Sequence, residues 1–376
     1  MKRALLCSAF AALLTGCGLC PSPPSAATGT AARYPITDVA TAPATPVRNQ
    51  AKSGTCWAFG GVSLIESEAI RTRRCTLDLS EMWVVRHAYF EKAVKYVRTR
   101  GRVAFDQGGE IQDVLWLVDR YGIVPQSLYE GGAADGTYDH ASLAKAIRRL
   151  AKRIVDKKLY EKEHWQRMID EELDRRLGAR PDRFVIDGVA YTPFSYADSI
   201  GFRRDDYIAL TSFTHHPFFE RFVLEIPDNW AAHATLNIPL DSLMRLLDSA
   251  LAAGYTAAWD ADVSERGFGR RAGIALLPQQ EGRITLPAPE IVVDQPLRQR
   301  MFDTQATTDD HVMHIVGTAV DSLGNSYYKV KNSWGDTGAY HRYLYASVPF
   351  VLYKSTGIMV RKDVLPEDLK AKLGIR

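Results

Sequence analysis

Val47-Arg48-Asn49-Gln50-Ala51-Lys52-Ser53-Gly54-Thr55-Cys56-Trp57-Ala58-Phe59 is the stretch that decides how this chain is read. From Cys56 to Arg71, Val62, Ile65, Ala69 and Ile70 fall near one face and Phe59 extends that stripe backward, so a helix beginning at Cys56 is expected. A cysteine in the first turn faces the positive end of the helix dipole, which favours thiolate over thiol. Gly54 lets the backbone turn tightly before the helix, and Gln50 can place a side-chain amide beside the sulfur. That amide and the Cys56 backbone N–H would form a donor pair for a developing oxyanion. Taken alone, a cysteine before an apolar helix reads as a buried structural thiol; its flanks favour a nucleophile.

The matching segment lies far downstream. Asp310-His311-Val312-Met313-His314-Ile315-Val316-Gly317 reads as a strand, followed by a turn at 321–325 and a second strand, Ser326 to Lys331, leading into Asn332-Ser333-Trp334-Gly335. A general base needs its imidazole held in one tautomer, and the Asn332 amide can do this while leaving the other ring nitrogen for Cys56. Trp334 can shield that hydrogen bond from water. His311 and His314 have opposite parity on a strand, so only one faces a cleft and the two do not form a metal pair. His314 is then expected in the core or at an internal interface.

Together these residues resemble papain. The resemblance rests on Gln50 and Cys56-Trp57, Leu79-Ser80-Glu81, Gln107-Gly108-Gly109, Tyr129-Glu130-Gly131, His311 and Asn332-Ser333-Trp334-Gly335, in that order over most of residues 46 to 345. It implies an α+β, papain-like two-lobed fold, with a helical lobe carrying Cys56 and a β-barrel-like lobe carrying His311. It also implies peptide hydrolysis through a thioester, with Cys56 as nucleophile, His311 as base and acid, Asn332 as its orienter and Gln50 in the oxyanion hole. Gly108 and Gly109 resemble the glycine pair whose bare backbone pairs with extended substrate, and Trp57 and Trp334 are further substrate-binding candidates. The plain reading of the glycines is an ordinary loop.

Three departures narrow the resemblance. The Cys-to-His separation, 311 − 56 = 255 residues, exceeds the ~130–150 of papain-type enzymes. Ser53 stands where secreted papain-type enzymes carry a disulfide cysteine, and no inhibitory propeptide fits before the catalytic segment. These features resemble the bleomycin hydrolase and aminopeptidase C branch, as does the segment Asn237 to Val263. That branch implies aminopeptidase activity, substrate-amine capture by the chain's own C-terminus, and a homo-oligomer. An endopeptidase and an inactive peptide-binding lipoprotein are the alternatives. A transglutaminase-like acyltransferase would normally use an Asp orienter, and Asn332 points away from it.

The N-terminus reads as a targeting segment. Lys2 and Arg3 precede the apolar run Ala4 to Leu14, too short to span a bilayer. Leu14-Thr15-Gly16-Cys17 resembles a bacterial lipobox, implying cleavage after Gly16, a lipid on Cys17, and an exported protein anchored to a membrane facing periplasm or cell surface. Ordinary secretory cleavage nearby is the alternative. Residues 1–16 are then signal and 17–33 a Pro- and Ser-rich tether. The lobe carrying the nucleophile spans 34–137. A helical insertion follows at 138–204, and 205–376 carries the sheet, the His/Asn pair and a C-terminal arm.

Composition excludes other classes. The chain is 46% hydrophobic with net charge +3, which points to neither nucleic acid nor another polyanion as partner. Basic residues on the first helix of the insertion lack interleaved aromatics and read as a solvated face. Of the five cysteines, Cys7 leaves with the signal and Cys17 would carry the lipid, so Cys20, Cys56 and Cys75 remain, too few for a disulfide framework, and the spacings match no zinc pattern. No metal or cofactor is expected; peptides are the expected substrates.

Overall fold

The computed structural model describes residues 34–103, 105–132, 137–279, 288–335 and 338–375. The expected signal, Cys17 and the tether lie outside them. The first half is helical apart from β1 (Ile36–Thr41): α1 (Cys56–Arg73), α2 (Glu81–Arg98), α3 (Ile111–Tyr121), α4 (Ala141–Asp156) and α5 (Lys162–Leu177). Ser80 caps α2 by accepting from Trp83 N at 2.9 Å, and α3 stops at Gly122, whose φ is +69°.

The insertion is not helical throughout. After α5 come a hairpin, β2 (Phe184–Ile186) and β3 (Val189–Tyr191), and the short α6 (Pro193–Ser199). Asp187 and Gly188, both at positive φ, make its turn. The α4–α5 pair packs on α2. Leu143, Ile147, Ile154, Trp165, Ile169 and Leu173 are buried in the same core as α1 to α3, while Lys145, Arg148, Arg149, Lys152 and Arg153 face solvent. Arg86 on α2, with 0% of its side chain exposed, ties down α5 through Asp170 (2.8 Å) and Asp174 (2.6 Å).

The second half supplies β4 (Tyr207–Thr211), β5 (Arg221–Val223), β6 (Ala234–Asn237), α7 (Leu240–Ala252), β7 (Ala257–Ala261), β8 (Phe268–Gly269) and β9 (Ile274–Ala275). It continues with α8 (Gln295–Asp303), β10 (His311–Asp321), β11 (Ser326–Lys331), β12 (Tyr343–Ser347), α9 (Val348–Lys354), β13 (Ser355–Arg361) and α10 (Glu367–Leu373). The expected barrel-like lobe takes the form of one mixed sheet of eleven strands, ordered β5-β6-β4-β13-β7-β10-β11-β12-β9-β8, with β1 added on β10. The long β10 pairs β7 along 311–315 and β1 along 317–321. Gly317 is needed there because a Cβ would lie 2.1 Å from Ala40 O.

Alternation along β10 places the two cores. Val312 joins the α1 side, whereas Met313 and Ile315 join the α7 side. Gly60 of α1 sits against Val312, and Gly61 against Val114 of α3, each so close that a Cβ would overlap. Two adjacent glycines thus let α1 lie flat against its neighbours. Leu369 of α10 packs in the α7-side core with Leu373 and Ile375 against it. The described end of the chain therefore lies with α7, on the face of the sheet away from α1.

Candidate active site

Cys56 is the first residue of α1 and is half-buried. Thr55 before it makes no side-chain cap bond, and the first turn carries no acidic residue. The opening N–H groups of an α-helix have no intrahelical partner, so this end is a donor site for developing negative charge. The preceding loop is tied from two sides. Gln107 Oε1 accepts from Gly54 N at 2.8 Å, and Gln107 O accepts from Trp57 Nε1 at 3.0 Å. Trp57, expected at the substrate, is only 1% exposed and instead supports the glycine loop from beneath. Cys75 is a free thiol like Cys56, so no bridge consumes the proposed nucleophile.

His311 begins β10, pinned by Asp310 Oδ1, which accepts from Val263 N at 2.9 Å. Its Nε2 lies 2.8 Å from Asn332 Oδ1, and its ring stacks on Trp334 with centroids 4.6 Å apart. The Arg270 guanidinium covers the Trp334 ring, 4.3 Å from its centroid. The tautomer follows from the hydrogen bonds. Ser333 N donates to Asn332 Oδ1 at 2.7 Å, which fixes that atom as the oxygen. His311 Nε2 therefore carries a proton, and Nδ1 of the neutral ring is the acceptor. His314, on the other face of the strand, is buried against α1 with Nδ1 2.8 Å from Ser63 Oγ.

Gln50 is buried and clamped. Its Nε2 donates to Ser53 O at 2.6 Å, and its Oε1 accepts from Ser333 Oγ at 2.5 Å. One of the two Nε2 hydrogens is thereby committed, leaving the other as a donor. The same clamp joins the Cys56 loop to the Asn332 segment, together with Gln50 N donating to Ser333 O at 2.8 Å.

Burial works against charge on both reacting groups. Burial pushes the Cys56 thiol up to about 12, against a backbone hydrogen bond from Val312, and nearby Asp260, Asp228 and Asp309 add to the rise. Burial draws His311 down to about 4 despite its bond to Asn332.

The glycine pair is crowded where a side chain would stand. Gly108 has no room for a side chain because the Asp228 carboxylate lies within 2.0 Å of where its Cβ would be, and Gly108 O accepts from Lys92 Nζ. A Cβ on Gly109 would meet Asp113 Oδ2 at 2.9 Å and Trp57 at 3.0 Å. Sequence reasoning missed Asp228 altogether, and also Glu110, Asp260 and Asp309, which converge beside this loop with ligand oxygens within 4.8 Å of one another.

A thiol at an open helix end, an imidazole oriented by an amide, and a clamped glutamine on a helix-against-sheet frame define a papain-like cysteine peptidase. The sequence matches the profile described as papain family cysteine protease over residues 35–167 and that described as Peptidase C1-like family over residues 187–375. The chain belongs to the Peptidase C1-like family. Similar curated proteins include aminopeptidase C of Lactococcus lactis subsp. cremoris, 24% identical over 364 residues covering 86% of this chain and 82% of that protein. Aminopeptidase G of Lactobacillus delbrueckii subsp. lactis is 24% identical over 373 residues, covering 87% and 83%. The crystal structure of PepW from Lactobacillus rhamnosis superposes with a TM-score of 0.70 at 19% identity, over 90% of this chain and 84% of that one.

Proposed function

We propose that this peptidase is an aminopeptidase, with Cys56 as nucleophile, His311 as proton carrier, Asn332 as the orienter of His311 and Gln50 as an oxyanion donor. The Cys56 thiol gives its proton to His311 Nδ1 as the sulfur attacks the scissile carbonyl. The resulting oxyanion is held by the Cys56 N–H and the free Nε2 hydrogen of Gln50. His311 then protonates the leaving amine, a thioester remains, and His311 takes a proton from the water that hydrolyses it. The observation that carries this reading is the fixed tautomer of His311, bonded to Asn332 through Nε2. The relatives named aminopeptidase C and G support the exopeptidase mode.

The test is hydrolysis of aminoacyl coumarylamides by the wild type and Cys56→Ser, with free and N-acetylated substrates side by side. Turnover of the free form that disappears in Cys56→Ser is expected. Equal cleavage of blocked and free peptides would mean an endopeptidase.

We also propose that Cys17 carries a lipid anchor, a reading supported by Leu14-Thr15-Gly16-Cys17. No helix among the described residues is long and apolar enough to cross a membrane. Loss of palmitate labelling in Cys17→Ser would support the anchor, and labelling that persists would refute it. The homo-oligomer implied by the branch is open to light scattering.

A further inference from the structure

One charged side chain reaches the catalytic pair from the hairpin of β8 and β9. The His311 imidazole stacks on Trp334 with centroids 4.6 Å apart, and the Arg270 guanidinium carbon lies 4.3 Å from the centroid of the same tryptophan. Arg270 stands at the hairpin tip, beyond the pairs Phe268–Ala275 and Gly269–Ile274. The tip is closed by Gly273 N donating to Gly269 O at 2.8 Å and Arg270 N donating to Phe268 O at 3.1 Å. Phe268 of the same hairpin meets Trp334 edge-on, with centroids 5.8 Å apart. Backbone and tryptophan thus hold this guanidinium near the histidine, although Arg270 itself is exposed. Among the described residues no carboxylate pairs with it. Glu265, the acid nearest to it in sequence, is taken by Lys354 at 3.1 Å.

Such a charge works against the reaction. His311 must become an imidazolium when it takes the thiol proton, and a neighbouring cation disfavours that form. Burial is the main reason His311 is drawn down to about 4, and the Arg270 charge adds to it. A cation that opposes the chemistry, yet is held on the histidine's own stacking partner, has a use if the substrate brings the opposite charge. The proton relay says where that charge would sit. His311 protonates the leaving amine, so the leaving residue lies along the wall of His311 and Trp334. The acyl half stays on Cys56, beside the Gln107 loop. In a dipeptide the leaving residue is a free amino acid whose carboxylate stands one carbon away from that amine. An Asp or Glu side chain at the same position brings a carboxylate a little further out.

We propose that Arg270, stacked on Trp334, binds a carboxylate on the leaving side of the scissile bond, so that the enzyme favours dipeptides with a free C-terminus and peptides whose second residue is acidic. This rests on the aminopeptidase reading of Cys56 and His311 and names the substrate class of that site. Arginine suits the place because one side chain combines stacking on an aromatic ring with a fork of donors that matches a carboxylate. The bound carboxylate also offsets the Arg270 charge felt by His311, which eases formation of the imidazolium only when the matching substrate is in place.

The test measures kcat and KM for leucyl-glycine, leucyl-glycine amide, leucyl-glutamyl amide and leucyl-glutaminyl amide in the wild type, Arg270→Gln and Arg270→Lys, at low and high salt. Labelling of Cys56 by an epoxide inhibitor is followed in each. The wild type should prefer leucyl-glycine to its amide by about tenfold or more, the worth of one charge-assisted hydrogen bond. It should prefer the glutamyl to the glutaminyl amide by a smaller factor. Both preferences should shrink at high salt, vanish in Arg270→Gln and persist in part in Arg270→Lys. Either preference alone, lost in Arg270→Gln, would uphold the carboxylate site and assign its source to the chain terminus or to the side chain. Equal kcat/KM for acid and amide throughout the wild type, or preferences that survive in Arg270→Gln, would overturn the proposal. A loss in Arg270→Gln that is the same on all four substrates would overturn it in favour of a structural hold on Trp334. A wild type that neither cleaves any of the four nor takes the epoxide label would bring down the peptidase reading, and the proposal with it.

Discussion

Replacing Asn332 with alanine removes the group that sets the tautomer of His311. The bond it breaks is 2.8 Å long between two buried side chains, His311 and Asn332. In the resting site it joins two neutral groups and is worth about 1 kcal/mol. As the thiol proton moves to Nδ1, the ring becomes cationic and the same bond rises to about 1.5–3 kcal/mol. Only the gain over the resting bond, about 0.5–2 kcal/mol, acts on the barrier, so at 1.36 kcal/mol per tenfold in rate its loss should lower kcat/KM about 2- to 30-fold. The fall should appear mainly in kcat, because the bond is strongest where charge has developed. Stability should drop by about 1–3 kcal/mol as well, since Ser333 N loses the acceptor it holds at 2.7 Å. Steady-state kinetics on an aminoacyl coumarylamide, with a urea melt of the same sample, measure both. A folded Asn332→Ala with the kcat of the wild type, or one impaired only in KM, would refute this account of His311.

Three further outcomes follow from the packing and the charges. Gly61→Ala gains up to about 1 kcal/mol of helix propensity. Its Cβ would nevertheless lie 2.6 Å from Cγ2 of the fully buried Val114, so a net loss of about 1–2 kcal/mol is expected in a denaturant melt. The double change Asp170→Asn, Asp174→Asn leaves Arg86 buried without a counter-charge; it should cost about 3 kcal/mol and free α5, seen as faster amide exchange there. For free-amine substrates kcat/KM should fall above about pH 8, where the substrate's own amine loses its proton; an N-acetylated substrate should show no such alkaline limb.

Local signals carried much of this architecture. The apolar spacing after Cys56, the Ser80 cap, the stop at Gly122 and the parity of His311 and His314 are all properties of a few neighbouring residues. They place α1, α2, α3 and the face of β10 where the structure has them. Asp187-Gly188 was an equally local hairpin signal, masked by the strong helical pattern on its N-terminal side. The carboxylate cluster was not legible in that way. Glu110, Asp260 and Asp309 come from three separate segments, and only the fold brings them together, with Asp260 on β7 beside β10. Each alone reads as a solvated acid, and the burial of Trp57 beneath the glycine loop has no signal in the neighbouring residues.

The claim on which everything else depends is that Cys56 is the nucleophile. Reaction of the whole protein with an epoxide inhibitor, followed by peptide mass mapping, tests it directly. The expected result is one adduct per chain, on Cys56 and not on Cys75, with activity lost in proportion to labelling. An adduct confined to Cys75, or full peptidase activity with Cys56 quantitatively modified, would contradict it.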